Sequence, residues 1–274
     1  MSQSAVHNAQ DVARDVGQSK HLKMLARVGF AARATIYLLI GIFALLLAFG
    51  KRPAPADQRG ALQAIAHHPG GFLLLIVITI GLFGYALWRF AEAAFGVVGE
   101  GNGAGPRLKS FVRGCVYSVL AFSAVNILMH SRVQSQASQQ QLWTSKVMRH
   151  SGGRILVGIV GAIVLVVGLA LVVEGVRRKF KKFFKLGEMP PAVRRLVWTL
   201  GTVGTTARGI VFALAGFFVL QAAWTYDASK ARGLDGALRE LARSTWGPFW
   251  VGLVGIGLIA FGLYAYAEAA WRRT

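Results

Sequence analysis

The chain of 274 residues contains one cysteine, Cys115. A single thiol forms no internal disulfide, and it leaves no cysteine spacing for zinc, an iron–sulfur cluster or covalent haem. Acidic residues are also scarce, with 11 Asp and Glu against 31 Lys and Arg and a formal charge of +20. No histidine falls in the middle of an apolar run, which disfavours a bis-histidine haem between helices. A nucleophile elbow, a phosphate-cradling loop and a zinc-hydrolase motif are missing too. These absences argue against an enzyme and imply no cofactor.

Apolar residues make up 54% of the chain and charged ones only 15%, too apolar a balance for a soluble domain of this size. Crossing a hydrocarbon core takes about 20 residues, and six runs are that long: 28–49, 71–95, 110–129, 154–173, 202–224 and 247–271. The first run exceeds the roughly 7–15 apolar residues of a signal-peptide core and matches the fifth, so it is expected to remain as a span. Placing both termini and the second and fourth connections on one side gathers most of the Lys and Arg there. By the positive-inside tendency that side is cytoplasmic. The basicity then reflects topology and anionic lipid rather than nucleic acid.

The runs form a repeat. Arg33, Arg113 and Arg208, each near the start of an odd run, are followed about sixty positions later by Glu92, Glu174 and Glu268 near the end of the next. Residues 60–92 align without a gap on 236–268, matching Gly60-Ala61-Leu62 with Gly236-Ala237-Leu238 and Ala91-Glu92-Ala93-Ala94 with Ala267-Glu268-Ala269-Ala270. An aromatic follows each arginine by one helical turn, at Tyr37, Tyr117 and Phe212. Both ends of a hairpin lie at one membrane face, so each arginine is expected to meet its own repeat's glutamate. Such a pair is a structural clamp that offsets part of the cost of burying charge. The alternative is a polar ring that gates or binds something at the cytoplasmic mouth.

The repeated Arg-x-x-x-aromatic opening, Gly-Ala-Leu segment and Glu-Ala close resemble the bacterial membrane family catalogued as domain of unknown function 1206, over roughly residues 25–273. The resemblance implies a bacterial cytoplasmic-membrane protein and brings with it no activity or binding residues. The middle copy departs from the pattern, with Leu142-Trp143-Thr144 in place of Gly-Ala-Leu.

The connections carry further candidates. Arg177-Arg178-Lys179-Phe180-Lys181-Lys182-Phe183-Phe184-Lys185 places three rings at helical spacing among cations, a pattern that buries rings at the headgroup boundary and holds anionic lipid. The stretches 60–66 and 234–242 read as short amphipathic helices over the outer ends of the spans, and 134–141, rich in Ser and Gln, reads as looser. His67, His68, His130 and His150 fall on the outer side. A metal site there is the weaker reading, because no carboxylate or thiolate accompanies them and Ser244 takes the equivalent place in the third copy; capping before the Gly-Gly turn is the stronger. Intrahelical glycines such as Gly158, Gly161, Gly252 and Gly255 read as packing seams.

The sequence thus predicts an all-α membrane protein of six spans, three tandem hairpins with approximate threefold symmetry. Its parts are a polar arm at 1–24, repeats at 25–95, 108–175 and 194–274, a Gly-rich link at 96–107 and a basic aromatic link at 176–193. The expected role is a non-catalytic module that organises lipid or a protein partner, including a second copy of the chain. The alternative is a small-solute or ion pathway along the threefold axis.

Overall fold

The computed structural model describes residues 20–51, 54–97, 103–129, 136–185, 187 and 189–272. Most of the polar arm and part of the Gly-rich link lie outside the described residues. Six long helices match the six apolar runs: α1 (Lys20–Ala48), α3 (Gly71–Phe95), α4 (Ala104–Met129), α6 (Gly153–Val176), α7 (Pro191–Thr225) and α9 (Gly247–Trp271). Between them lie three short ones, α2 (Gln58–Ala66), α5 (Gln136–Met148) and α8 (Leu234–Ala242). The chain is a multi-pass all-α membrane protein. In hydrocarbon each backbone N–H and C=O must be paired within its own segment, which leaves helix as the available form for these runs.

The spans begin and end for local reasons. Pro191 opens α7, where its missing N–H costs nothing. The even-numbered spans open on a tight turn in which the N–H of Gly71, Gly153 or Gly247 donates to His68, His150 or Ser244 at 2.8, 2.9 and 2.8 Å. Gly70 and Gly152 sit in this turn at φ 75° and 79°, where a side chain would be strained. A Cβ on Gly71, Gly153 or Gly247 would run into the carbonyl of Ile65, Val147 or Leu241.

The packing is interlocked rather than hairpin by hairpin. The most intimate pairs are α6 with α7, α9 with α1, and α3 with α4, so each odd span of one repeat lies against the even span of another. Glycines at seven-residue spacing make these approaches close. A Cβ on Gly161 would come within 2.7 Å of the Leu220 backbone nitrogen, and one on Gly255 within 3.0 Å of that of Leu45. Without a hydrophobic drive between helices in lipid, this backbone proximity supplies the van der Waals attraction. Arg107 donates to the carbonyls of Ala93 and Ala94, both at 2.7 Å, and Arg154 to those of Ala223 and Trp224, both at 2.9 Å. Each thereby caps the C-terminal end of a span from a neighbouring repeat.

Within repeats, α1 packs on α3 and α7 on α9, but α4 and α6 of the middle repeat are barely in contact. The expected threefold regularity is therefore broken at one seam. Both spans beside it present apolar side chains outward, among them Val116 and Val119 on α4 and Leu156 and Val160 on α6.

The short helices gather as lids at the face opposite the termini. The middle stretch expected to be loose is ordered as α5 from Gln136 onward, longer than its two counterparts. Its sequence hides this, because α5 has no clear apolar face to signal a helix. Asp57 caps α2, accepting from the Gly60 N–H at 2.8 Å, and Asp235 at the start of α8 accepts from the Ala56 N–H at 2.8 Å. The basic aromatic link also differs from the expected headgroup anchor: its residues Lys179–Phe183 form a 3₁₀ turn. Phe180, Phe183 and Phe184 are buried, and the rings of Phe180 and Phe184 lie 5.2 and 5.8 Å from that of Tyr264. The ring spacing marks an inward-facing plug and not a headgroup anchor. Aromatic periodicity alone does not tell the two apart.

Burial pushes the Asp57 carboxyl up to about 6, with the Asp235 charge adding to the effect. The folded value lies above the usual value of about 3.9. The ionised group therefore costs the fold nothing below pH 4, and that cost grows as pH rises from about 4 to 6. Asp57→Asn keeps the capping oxygen and removes the charge. Thermal unfolding in neutral detergent should show Asp57→Asn gaining on the parent chain by about 2 kcal/mol between pH 4.5 and 7; parallel curves over that range would contradict the assignment.

Candidate functional site

Near the terminal face a layer of charge lies inside the helix ring. Glu268 on α9 is buried and accepts from two guanidiniums, that of Arg33 on α1 and that of Arg272 just beyond its own helix. Glu92 on α3 is buried as well, accepting from Arg89 at 2.6 Å and from the Ser110 hydroxyl of α4 at 3.0 Å. Arg89 also donates to the Tyr85 hydroxyl through Nε at 2.9 Å and Nη2 at 2.6 Å. Glu174 on α6 is partly exposed, 3.6 Å from Lys109 of α4, and this contact bridges the parted middle repeat at its terminal end.

The expected pairing within each hairpin is overturned. Arg33 meets Glu268 of the third repeat and not Glu92, while Arg113 and Arg208 have no carboxylate within ion-pair distance among the described residues. The interlocked packing is the cause, because it turns the start of α1 toward the end of α9. Arg208 instead lies over the rings of Tyr37, Phe212 and Phe261 at 5.3, 5.2 and 5.0 Å. Cation–π contact of this kind is worth about 2 kcal/mol or more when desolvated. Arg113 lies in the electrostatic field of Arg89, Arg208 and Arg272. Five arginines, Arg33, Arg89, Arg113, Arg208 and Arg272, thus share this layer with Glu92, Glu174 and Glu268.

Sequence reasoning missed Arg89 and Arg272. Their spacing to the glutamates, three residues before Glu92 and four after Glu268, was a readable signal for a same-face pair. It was obscured by the longer repeat in which Arg33, Arg113 and Arg208 recur.

Two adjoining cavities lie between this layer and the lids. The larger, about 440 Å³, is lined by Arg33, Tyr37, Tyr117, Ser123 and Arg208 from the spans and by Arg59 and Trp143 from the lids. The second, about 380 Å³, is walled by Val157, Val160 and Val164 of α6 and by Val211, Ala215 and Val219 of α7. Gln58, Gln140, Trp143 and Phe212 border both. These volumes fall within the range of about 300–1,000 Å³ usual for ligand pockets. Val116, Val119, Leu156 and Val160 line them and are exposed within membrane spans, so the cavities open sideways through the seam between α4 and α6.

The remaining candidates stand apart from this layer. Of the basic link, Arg177, Arg178, Lys179 and Lys182 remain exposed, and the Lys181 ammonium lies 4.0 Å from the centre of the Trp198 ring. His67, His68 and His150 are exposed at the ends of α2 and α5. The Nδ1 atoms of His67 and His150 lie 2.7 and 2.9 Å from the carbonyls of Gln63 and Lys146. His130 lies outside the described residues. Among the described residues no three of His, Cys, Asp and Glu converge as metal ligands.

Six spans in three interlocked repeats, with arginines inside the ring, define a polytopic membrane protein of repeated two-helix units. The chain belongs to the family described as Domain of Unknown Function (DUF1206), which it matches three times, at residues 28–96, 108–178 and 203–272. It is similar to Uncharacterized protein YxxB of Bacillus subtilis (strain 168), 32% identical over 260 residues that cover 92% of this chain and 94% of that protein. No solved structure matches it.

The asymmetry among the three glutamates is measurable. Removing one partner of a buried pair typically costs about 3–5 kcal/mol, against about 0–1 for an exposed one. Thermal unfolding in detergent should show Glu268→Gln strongly destabilised and Glu174→Gln close to the parent. Equal losses at the two positions would contradict the burial difference.

Proposed function

We propose that the protein is a non-catalytic module of a bacterial cytoplasmic membrane that holds lipid, with both termini in the cytoplasm. The observation that supports this reading is the seam between α4 and α6, where Val116, Val119, Leu156 and Val160, exposed within the spans, line two largely apolar-walled cavities. A lipid chain can enter there without leaving an apolar environment. The exposed cations of the 177–185 link lie at the terminal face, where each basic residue near an anionic surface contributes about 1 kcal/mol. With the rings of that link buried, its contribution is one of charge alone.

One observation favours the second reading, a small-solute or ion pathway. Arg33 and Arg208 line both the larger cavity and a small one, about 40 Å³, at the terminal face. A solute on the axis would pass from the one cavity to the other through this layer. Against it stands the link between Arg33 and Glu268, with Tyr85 and Phe261 packed around it.

The two readings separate in one preparation. Protein extracted into lipid nanodiscs and then analysed by native mass spectrometry should retain bound lipid, and proteoliposomes of the same protein should show no chloride or phosphate flux above protein-free vesicles. Flux above that background with no retained lipid would replace the first reading by the second.

A further inference from the structure

The larger cavity has an unusual donor set. Three arginines line it, Arg33, Arg59 and Arg208, and no Asp or Glu among the described residues does. Each of the three carries a buried N–H without an acceptor among the described residues: Nε of Arg33, Nη1 of Arg59 and Nε of Arg208. A buried guanidinium N–H left without an acceptor is costly. Three such donors around one cavity are therefore arranged for an acceptor that the protein itself does not supply.

The charge count points the same way. Of the carboxylates around the cavity, Glu268 is engaged by Arg33 and Arg272, Glu92 by Arg89, and Asp57, whose charge reaches Arg59, by the Gly60 N–H that it caps. The guanidinium of Arg208 rests on aromatic rings and has no carboxylate partner among the described residues. An oxyanion, acceptor on all sides and negatively charged, meets both demands, and planar guanidiniums fit carboxylate and phosphate oxygens in particular.

The walls add the second half of the ligand. Beyond Phe212 and Trp143 the neighbouring cavity is mostly valine, alanine and leucine, with Gln58, Gln140 and Thr144 at its lid end and no charged side chain among the described residues, a wall that accepts an alkyl chain. We infer that the two cavities form one site for an anionic amphiphile, its carboxylate or phosphate head among Arg33, Arg59 and Arg208 and its alkyl chain along the valine wall of α6 and α7. This rests on the lipid-holding reading and adds to it a requirement for charge. The seam between α4 and α6 is the route of entry, since the cavity-lining Val116, Val119, Leu156 and Val160 are exposed there within the spans.

The test uses the full chain in neutral detergent, with dodecyl phosphate, dodecanol and inorganic phosphate as probes and the shift in melting temperature as readout. Dodecyl phosphate should bind at least tenfold more tightly than either dodecanol or inorganic phosphate. Arg59→Gln with Arg208→Gln should reduce the preference over dodecanol to less than threefold while leaving dodecanol binding unchanged. Val160→Trp, which obstructs the chain wall and leaves the arginines intact, should weaken dodecyl phosphate at least tenfold and leave inorganic phosphate as it was. This variant keeps the inference testable if the arginine pair proves needed for folding.

Equal binding of dodecyl phosphate and dodecanol would overturn the head-group site while leaving the lipid-holding reading in place. Equal binding of dodecyl phosphate and inorganic phosphate would overturn the amphiphile and favour a free anion. Binding of neither alkyl probe would remove the inference and the lipid-holding reading together.

Discussion

A charge inside hydrocarbon has to be answered close by, and in this protein the answer comes from another repeat. Glu268, near the end of the last span, takes Arg33 of the first span and Arg272 just beyond its own helix. This contact closes the ring of helices between its two chain ends. An attraction between full charges in a low dielectric is strong but carries a large desolvation cost. The cost is offset here by close packing, because Gly41, Gly255 and Gly262 bring α1 and α9 nearly backbone to backbone. The Thr35 and Tyr266 hydroxyls, 2.6 Å apart, add a further tie between the same two helices. The electrostatic and steric parts of the interface therefore depend on each other.

The same scheme is followed unevenly around the ring. At the α6–α7 interface Gly161, Gly168, Gly209 and Gly216 carry the close approach with no buried ion pair among the described residues. At the α3–α4 interface Glu92 is satisfied by Arg89 and Ser110, and Arg113 is left over. Divergence of the middle repeat thus has two linked consequences. Its spans separate, which exposes the apolar residues that line the two cavities, and neither Arg113 nor Arg208 has a carboxylate within ion-pair distance among the described residues. A ring with three equivalent internal pairs would be tighter and would have neither opening nor excess charge.

Much of the fold was legible in the sequence. The six spans follow from length and hydropathy, and the three units from the register of residues 60–92 on 236–268. What the repeat could not reveal is which copy each residue faces. Arg33 stands the same distance from Glu92 whether they pair or not, and in a ring of identical units the pairing within a hairpin and the pairing with the next hairpin have the same sequence signature. Only three-dimensional packing decides, and glycine spacing made that decision at α1 and α9. The link at 177–185 failed for a similar reason. Rings on one side of a basic turn suit a headgroup boundary and a helix bundle equally well, and Gly201 provides the space that receives Phe180. Arg59 was invisible as a site residue because nothing in its local sequence shows that its lid covers Arg33 and Arg208.

The repeats interlock, with the first span lying against the last. Ala48 and Gly252 offer a direct measurement. A Cβ on Gly252 would stand 3.7 Å from that of Ala48, within the spacing of about 3.5–4.5 Å that a disulfide needs. Gly158 and Ala223 present the same 3.7 Å separation between α6 and α7. In a Cys115→Ala background, Ala48→Cys with Gly252→Cys should form an intramolecular disulfide on mild oxidation in native membranes, and Gly158→Cys with Ala223→Cys should do the same. Chains cut by a protease site placed in the 176–193 link should then stay joined until reduced. Fragments that separate without reductant, or cross-links found only between two copies of the chain, would contradict the interlocked ring.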